Sequence, residues 1–132
     1  MKLGLIVLSI VLVACAPTTA IAPGGGEDSE TGQVFISNAE LLIMESYPVQ
    51  VSLYISGELP TPCHELVSEV EAPDEENRIH VSVASQFDSG EACIQVLEAF
   101  STQLGIDMLG AKDGIYSVWL DGEMIGEFSY PG

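Results

Sequence analysis

Hydrophobic alternation with a period of two decides what this chain can fold into. In residues 49–55, Val49, Val51, Leu53 and Ile55 alternate with Gln50, Ser52 and Tyr54, which puts apolar and polar rows on opposite faces of a strand. Residues 78–85 repeat the pattern, with Ile79, Val81 and Val83 set against His80, Ser82 and Ala84. Pro60 and Pro62 close the first run, and an acidic loop over 73–77 precedes the second; proline cannot donate to a ladder and so marks a strand end. Residues 64–71 form a weaker strand, Leu66 and Val70 against Glu65, Glu69 and Glu71. Residues 38–45 form an edge strand, broken from the next by Tyr47 and Pro48. Residues 91–106 fit two patterns. Cys93, Val96, Leu97, Phe100 and Leu104 recur at helical spacing, with Asp88 and Glu91 as a capping box, whereas Phe100, Thr102, Leu104 and Ile106 alternate. A short helical turn near residues 90–95 followed by a strand satisfies both.

Two further runs, 115–120 and 124–130, flank Asp121-Gly122, a hairpin signal. A two-residue loop would oppose Tyr116 to Glu127 and carry acids onto the core face. A three-residue loop that includes Glu123 opposes Leu120 to Met124 and Tyr116 to Phe128. A one-residue slip inverts every side chain, so the second register is expected. The expected fold is all-β: an antiparallel immunoglobulin-like β-sandwich of about seven strands spanning residues 34–132. Gly114 followed by Tyr116 resembles a tyrosine corner, in which the phenol bonds upstream backbone.

The first fifteen residues, MKLGLIVLSIVLVAC, carry one cation and then an apolar run from Leu3 to Val13. This is the layout of a signal peptide. Leu12-Val13-Ala14-Cys15 resembles the bacterial lipobox, in which the cysteine is acylated and the chain is cut before it. The expected organisation is a lipoprotein signal peptide over 1–14, a lipidated Cys15 with a flexible tether over 15–33, and one folded domain after it. The tether is rich in Pro, Gly, Thr and acids, a composition that cannot build a core. The expected location is the bacterial cell envelope, outside the cytoplasm. With Cys15 in lipid, Cys63 and Cys93 are left to pair in an oxidising compartment; two free thiols or half a metal site are the alternatives.

The net charge of −17, from 20 acids against three cations, repels phosphate backbones and excludes nucleic acid as a partner. Acid excess of this size also suits a soluble, monomeric exported domain.

The segments YPVQVSLYISGELPTPC (47–63) and LGAKDGIYSVWLDG (109–122), with Cys93 between them, together resemble a group of bacterial exported proteins. Members of that group are immunoglobulin-like sandwiches, often lipoproteins. The resemblance implies the fold and supports the disulfide; it implies no catalytic residue. Asp121 stands where the group usually has asparagine, and the same turn accepts it.

Chemistry is sparse. His64 and His80 lack a Gly-x-Ser-x-Gly elbow or any motif-level partner, and with 20 acids a suitably spaced carboxylate pair has no diagnostic weight. The acidic stretch 74–77 lacks the alternating pattern of a calcium loop. No cofactor, metal site or enzyme activity is expected. The expected function is an interaction domain whose protein or carbohydrate partner meets the outer sheet face around Trp119 or the loops at one end of the sandwich, with Trp119, Ile115 and Tyr54 as the candidate contact residues. The alternatives are a protease-inhibitor-like domain presenting the 57–63 loop, and a small hydrolase.

Overall fold

The computed structural model describes residues 29–88 and 92–132. The expected leader, Cys15 and most of the expected tether fall outside those residues. Among the described residues, eight strands make two sheets: β1 (Ser29–Gly32), β2 (Phe35–Met44), β3 (Gln50–Leu59), β4 (His64–Val70), β5 (Arg78–Asp88), β6 (Glu98–Ile106), β7 (Gly114–Leu120) and β8 (Glu123–Tyr130). One sheet is β2-β3-β6. In the other, β5 carries β4 on one edge, while β1 and β7 share its opposite edge and β8 lies beyond β7. The all-β sandwich expected from the alternation is the architecture found.

Its core is the set of residues the period-two pattern marks. Leu53, Ile55, Ile79 and Val118 are fully buried, with Val51, Val81, Tyr116, Leu120 and Phe128 around them. Tyr116 donates its phenol to the Lys112 carbonyl at 2.6 Å, which is the tyrosine corner. Cys63 and Cys93 form a disulfide with Cα atoms 6.0 Å apart.

Four details depart from the sequence expectation. Ser29–Gly32, tether by composition, pairs with residues 85–88 as an eighth strand, because β5 is longer than its apolar stretch and leaves an edge to fill. β5 and β7 run parallel, Arg78 beside Ser117 through Val81 beside Leu120, so the sandwich is not wholly antiparallel. Residues 92–97 are irregular rather than helical, with Ile94, Val96 and Leu97 exposed; residues 90 and 91 of the expected turn lie outside the described residues.

The fourth departure is the hairpin register. Asp121 and Gly122 have φ of 46° and 86°, a tight two-residue turn that opposes Leu120 to Glu123. A bulge then shifts the ladder by one, so Tyr116 still faces Phe128. The extra residue is Ile125, which packs on the core, while Met124 pairs with Trp119 and is exposed. The bulge reconciles the turn that Asp-Gly favours with the facing that the core requires.

Candidate functional site

The parallel pairing of β5 and β7 sets His80 beside Trp119 on the outer face of the five-stranded sheet. Ile115, Ser117 and Trp119 project to this face, alternating with the buried Tyr116, Val118 and Leu120. The half-buried indole donates its N–H to Ser117 Oγ at 2.9 Å, so its polar edge is satisfied and the part of the ring left exposed is apolar. Met124 lies opposite Trp119 through the bulge; it is 48% exposed, and Ile115 is 64% exposed. The hairpin thus sets Trp119 and Met124 side by side, with the Ser117–Glu127 pair between them and Ile115. Ile125, which the expected register would have put beside Trp119, faces the core instead.

Tyr54 does not join this face. It projects from the outer face of the other sheet, between Glu40 of β2 and Gln103 of β6, because Leu53 and Ile55 on either side of it are core. Trp119 and Ile115 share one surface and Tyr54 occupies the opposite one.

The acidic stretch 74–77 is a structural joint. Asp74 Oδ1 accepts the backbone N–H groups of Glu76 and Arg78, both at 2.9 Å; Oδ2 accepts from Arg78 Nε at 2.9 Å and lies 3.2 Å from His80 Nε2. The bond from the Arg78 N–H, joined by those from Glu76, the Arg78 side chain and His80, holds the Asp74 carboxyl well below the usual carboxylate range. Asn77, at φ 58°, then bridges to β7: its side-chain amide donates to the Ile115 carbonyl and its own carbonyl accepts from the Ser117 N–H. This carboxylate therefore holds donors of its own loop and starts the parallel pair. Among the described residues, no three His, Cys, Asp or Glu side chains are placed to hold a metal ion.

A pH dependence follows with a definite sign. A carboxyl with a depressed folded-state pKa adds stability above its unfolded value, near 3.8, and loses it as pH falls below that. Thermal melts from pH 7 to about pH 1.5 should show the native chain and Asp74→Asn separated at neutral pH, beginning to converge below about pH 4 and meeting only at the acid end. Curves that stay parallel would show that Asp74 does not contribute in this way.

The disulfide corner gathers the other histidine. Thr61 Oγ1 lies 2.7 Å from His64 Nδ1, accepts the Cys63 N–H at 3.3 Å and lies 3.3 Å from Cys93 Sγ. His64 also packs on Phe87, ring centroids 5.0 Å apart. A hydroxyl beside an imidazole is the first element of a nucleophile–base pair, yet Thr61 is only 4% exposed and is built into the corner. The 57–63 segment is likewise not a projecting loop: residues 57–59 belong to β3, and only Pro60–Cys63 turn.

Two concavities complete the surface. A cleft of about 730 Å³ at one end of the sandwich is lined by Glu71, Glu75, Asp107, Lys112 and the edge of Tyr116. An apolar hollow of about 590 Å³ lies between Ile43, Met44, Tyr47, Val49 and Phe128. Sequence reasoning missed this hollow by treating Tyr47 only as a strand break, although Tyr47 is 84% exposed.

Neither a curated protein nor a solved structure matches the chain. The family model of the ORF11 beta-sandwich domain matches residues 53–130, from the central strand β3 through the hairpin β7-β8, and the chain belongs to that family.

Proposed function

We propose that this protein is a lipid-anchored, extracytoplasmic interaction domain of the bacterial cell envelope, without catalytic activity. The observation that carries the binding reading is Trp119 beside Met124 on an outer sheet face, with Ile115 on the same face. A half-buried indole with a satisfied N–H beside the exposed Met124 suits a protein or carbohydrate partner. The anchor reading rests on Leu12-Val13-Ala14-Cys15 at the end of an apolar run. The Cys63–Cys93 bridge agrees with an oxidising compartment. The acidic balance argues against nucleic acid and favours a monomer.

The test is crosslinking of the tagged chain in its native cells, followed by mass spectrometry, for the native sequence and Trp119→Ala. The variant should fold, keep its disulfide and lose the captured partner. An unfolded variant would make Trp119 a core residue, and equal capture would remove it from the interface. Cys15→Ser should abolish fatty-acid labelling and release the chain from membranes; continued labelling would refute the anchor.

A further inference from the structure

The two sheets differ in width. One is three strands across; the other is four across, because β1 and β7 share one edge of β5. Gly126 of β8 packs against Leu41 of β2, so closely that an added Cβ would lie 3.1 Å from the leucine side chain. β2 therefore sits over β8, and the extra width falls on the opposite side, where β4 extends beyond β6. Side chains of that side are only partly covered: Leu66 and Val70 of β4, Val83 of β5, and Phe100 and Leu104 of β6 are all half-buried.

Among the described residues, nothing pairs with the outer edge of β6. This edge is nine residues long, EAFSTQLGI, with one charge, no proline, no lysine and no bulge against β3. The other outer strands carry the usual protections. β4 has Glu65 and Glu69, β8 has Glu123 and Glu127, β2 has Glu40 and a bulge between Ile36 and Asn38, and β1 is only four residues long and has Glu30. β6 is the unguarded edge, and it borders a partly covered apolar ledge.

The space between that edge and β4 has unlike ends. At one end the Cys63–Cys93 bridge ties the approaches to β4 and β6 together. At the other, Val70 and Gly105 both line the cleft that holds Glu71, Glu75 and Asp107, where Lys112 is the one cation.

We propose that β6 accepts an extended segment of a partner protein as a fourth strand of its sheet. The guest's inward apolar side chains cover Leu66 and Val70, and a Lys- or Arg-bearing end enters the acidic cleft. Main-chain hydrogen bonds supply the attachment, and the alternating side chains supply the selectivity. A second copy of this chain does not fit. Its overhanging β4 would meet this one before two β6 edges came within the roughly 4.8 Å of paired strands, and two chains of charge −17 repel. This surface is distinct from the Trp119 face and does not depend on it.

The test uses amide exchange and chemical shifts of the ¹⁵N-labelled full chain in detergent. Two capped synthetic peptides serve as probes, each alternating valine and threonine, one ending in two lysines and the other in two glutamates. With the lysine peptide, alternate amides of β6, those directed away from β3, should pass from fast to slow exchange. The glutamate peptide should bind about tenfold more weakly. Unchanged β6 exchange at about 1 mM of the lysine peptide, equal binding of both peptides, or shifts confined to β7 would each overturn the proposal. Outward β6 amides already protected in the free chain would overturn it too, by showing that a segment of the chain itself holds the edge.

Discussion

Replacing Cys63 and Cys93 together by serine is expected to lower the stability of the folded domain by about 3–4 kcal/mol. The two residues are 30 positions apart, and the bridge removes the freedom of that loop from the unfolded chain. It also has a local role. Cys63 immediately precedes β4 in the five-stranded sheet, and Cys93 lies in the irregular segment leading to β6 in the other. That segment exposes Ile94, Val96 and Leu97, so it has little packing of its own to hold it. Without the bridge, the buried Thr61 hydroxyl also loses the Cys93 sulfur beside it. For a domain with a total stability of about 5–15 kcal/mol, the loss is a large fraction. Urea unfolding of the oxidised chain, the reduced chain and the double-serine variant should show both altered forms with much lower midpoints. A difference below about 1 kcal/mol would show that sheet packing alone sets the stability.

Gly57→Ala should cost about as much, roughly 3 kcal/mol, for a different reason. Gly57 sits in the central strand β3, opposite Ile36 at the place where β2 bulges between Ile36 and Asn38. The bulge folds the backbone of β2 down onto it. A Cβ at Gly57 would collide with the Phe35 carbonyl oxygen and lie 3.0 Å from its carbon and 3.1 Å from Ile36 Cα. All three are main-chain atoms, so no side-chain rotation relieves the contact and the β2-β3 ladder itself must move. Gly105 is the internal comparison. It lies in β6 with open space around the Cβ position, and Gly105→Ala should be neutral or slightly stabilising. Thermal melts of the two variants side by side would decide the matter; a Gly57→Ala protein within about 1 kcal/mol of the native chain would show that the bulge adapts.

The legible part of the fold is the part governed by local chemistry. Alternation at 49–55 and 78–85 marked the core rows of β3 and β5, since a sheet buried on one face must sort side chains by parity. Gly114 and Tyr116 marked the tyrosine corner, because the bond from Tyr116 to the Lys112 carbonyl spans only four residues. The hairpin was half legible. Asp121-Gly122 specified the tight turn and the core specified the facing, but the two demands differ by one residue, and only the bulge at Ile125 satisfies both. The site was less legible still. Trp119 and Ile115 fall on one face by strand parity, whereas Tyr54 lies on the opposite sheet, a separation that parity within one strand does not encode.

By itself the sequence determined the fold class, the composition of the core and the corner at Tyr116. Each follows from spacing or residue chemistry within a short stretch of chain. Tertiary structure alone decided the parallel pairing of β5 with β7, the eighth strand, the separation of Tyr54 from Trp119, and the unequal sheets that leave the outer edge of β6 unpaired among the described residues. Those features depend on which distant segments lie side by side, and hydrophobic periodicity carries no record of a strand's neighbours.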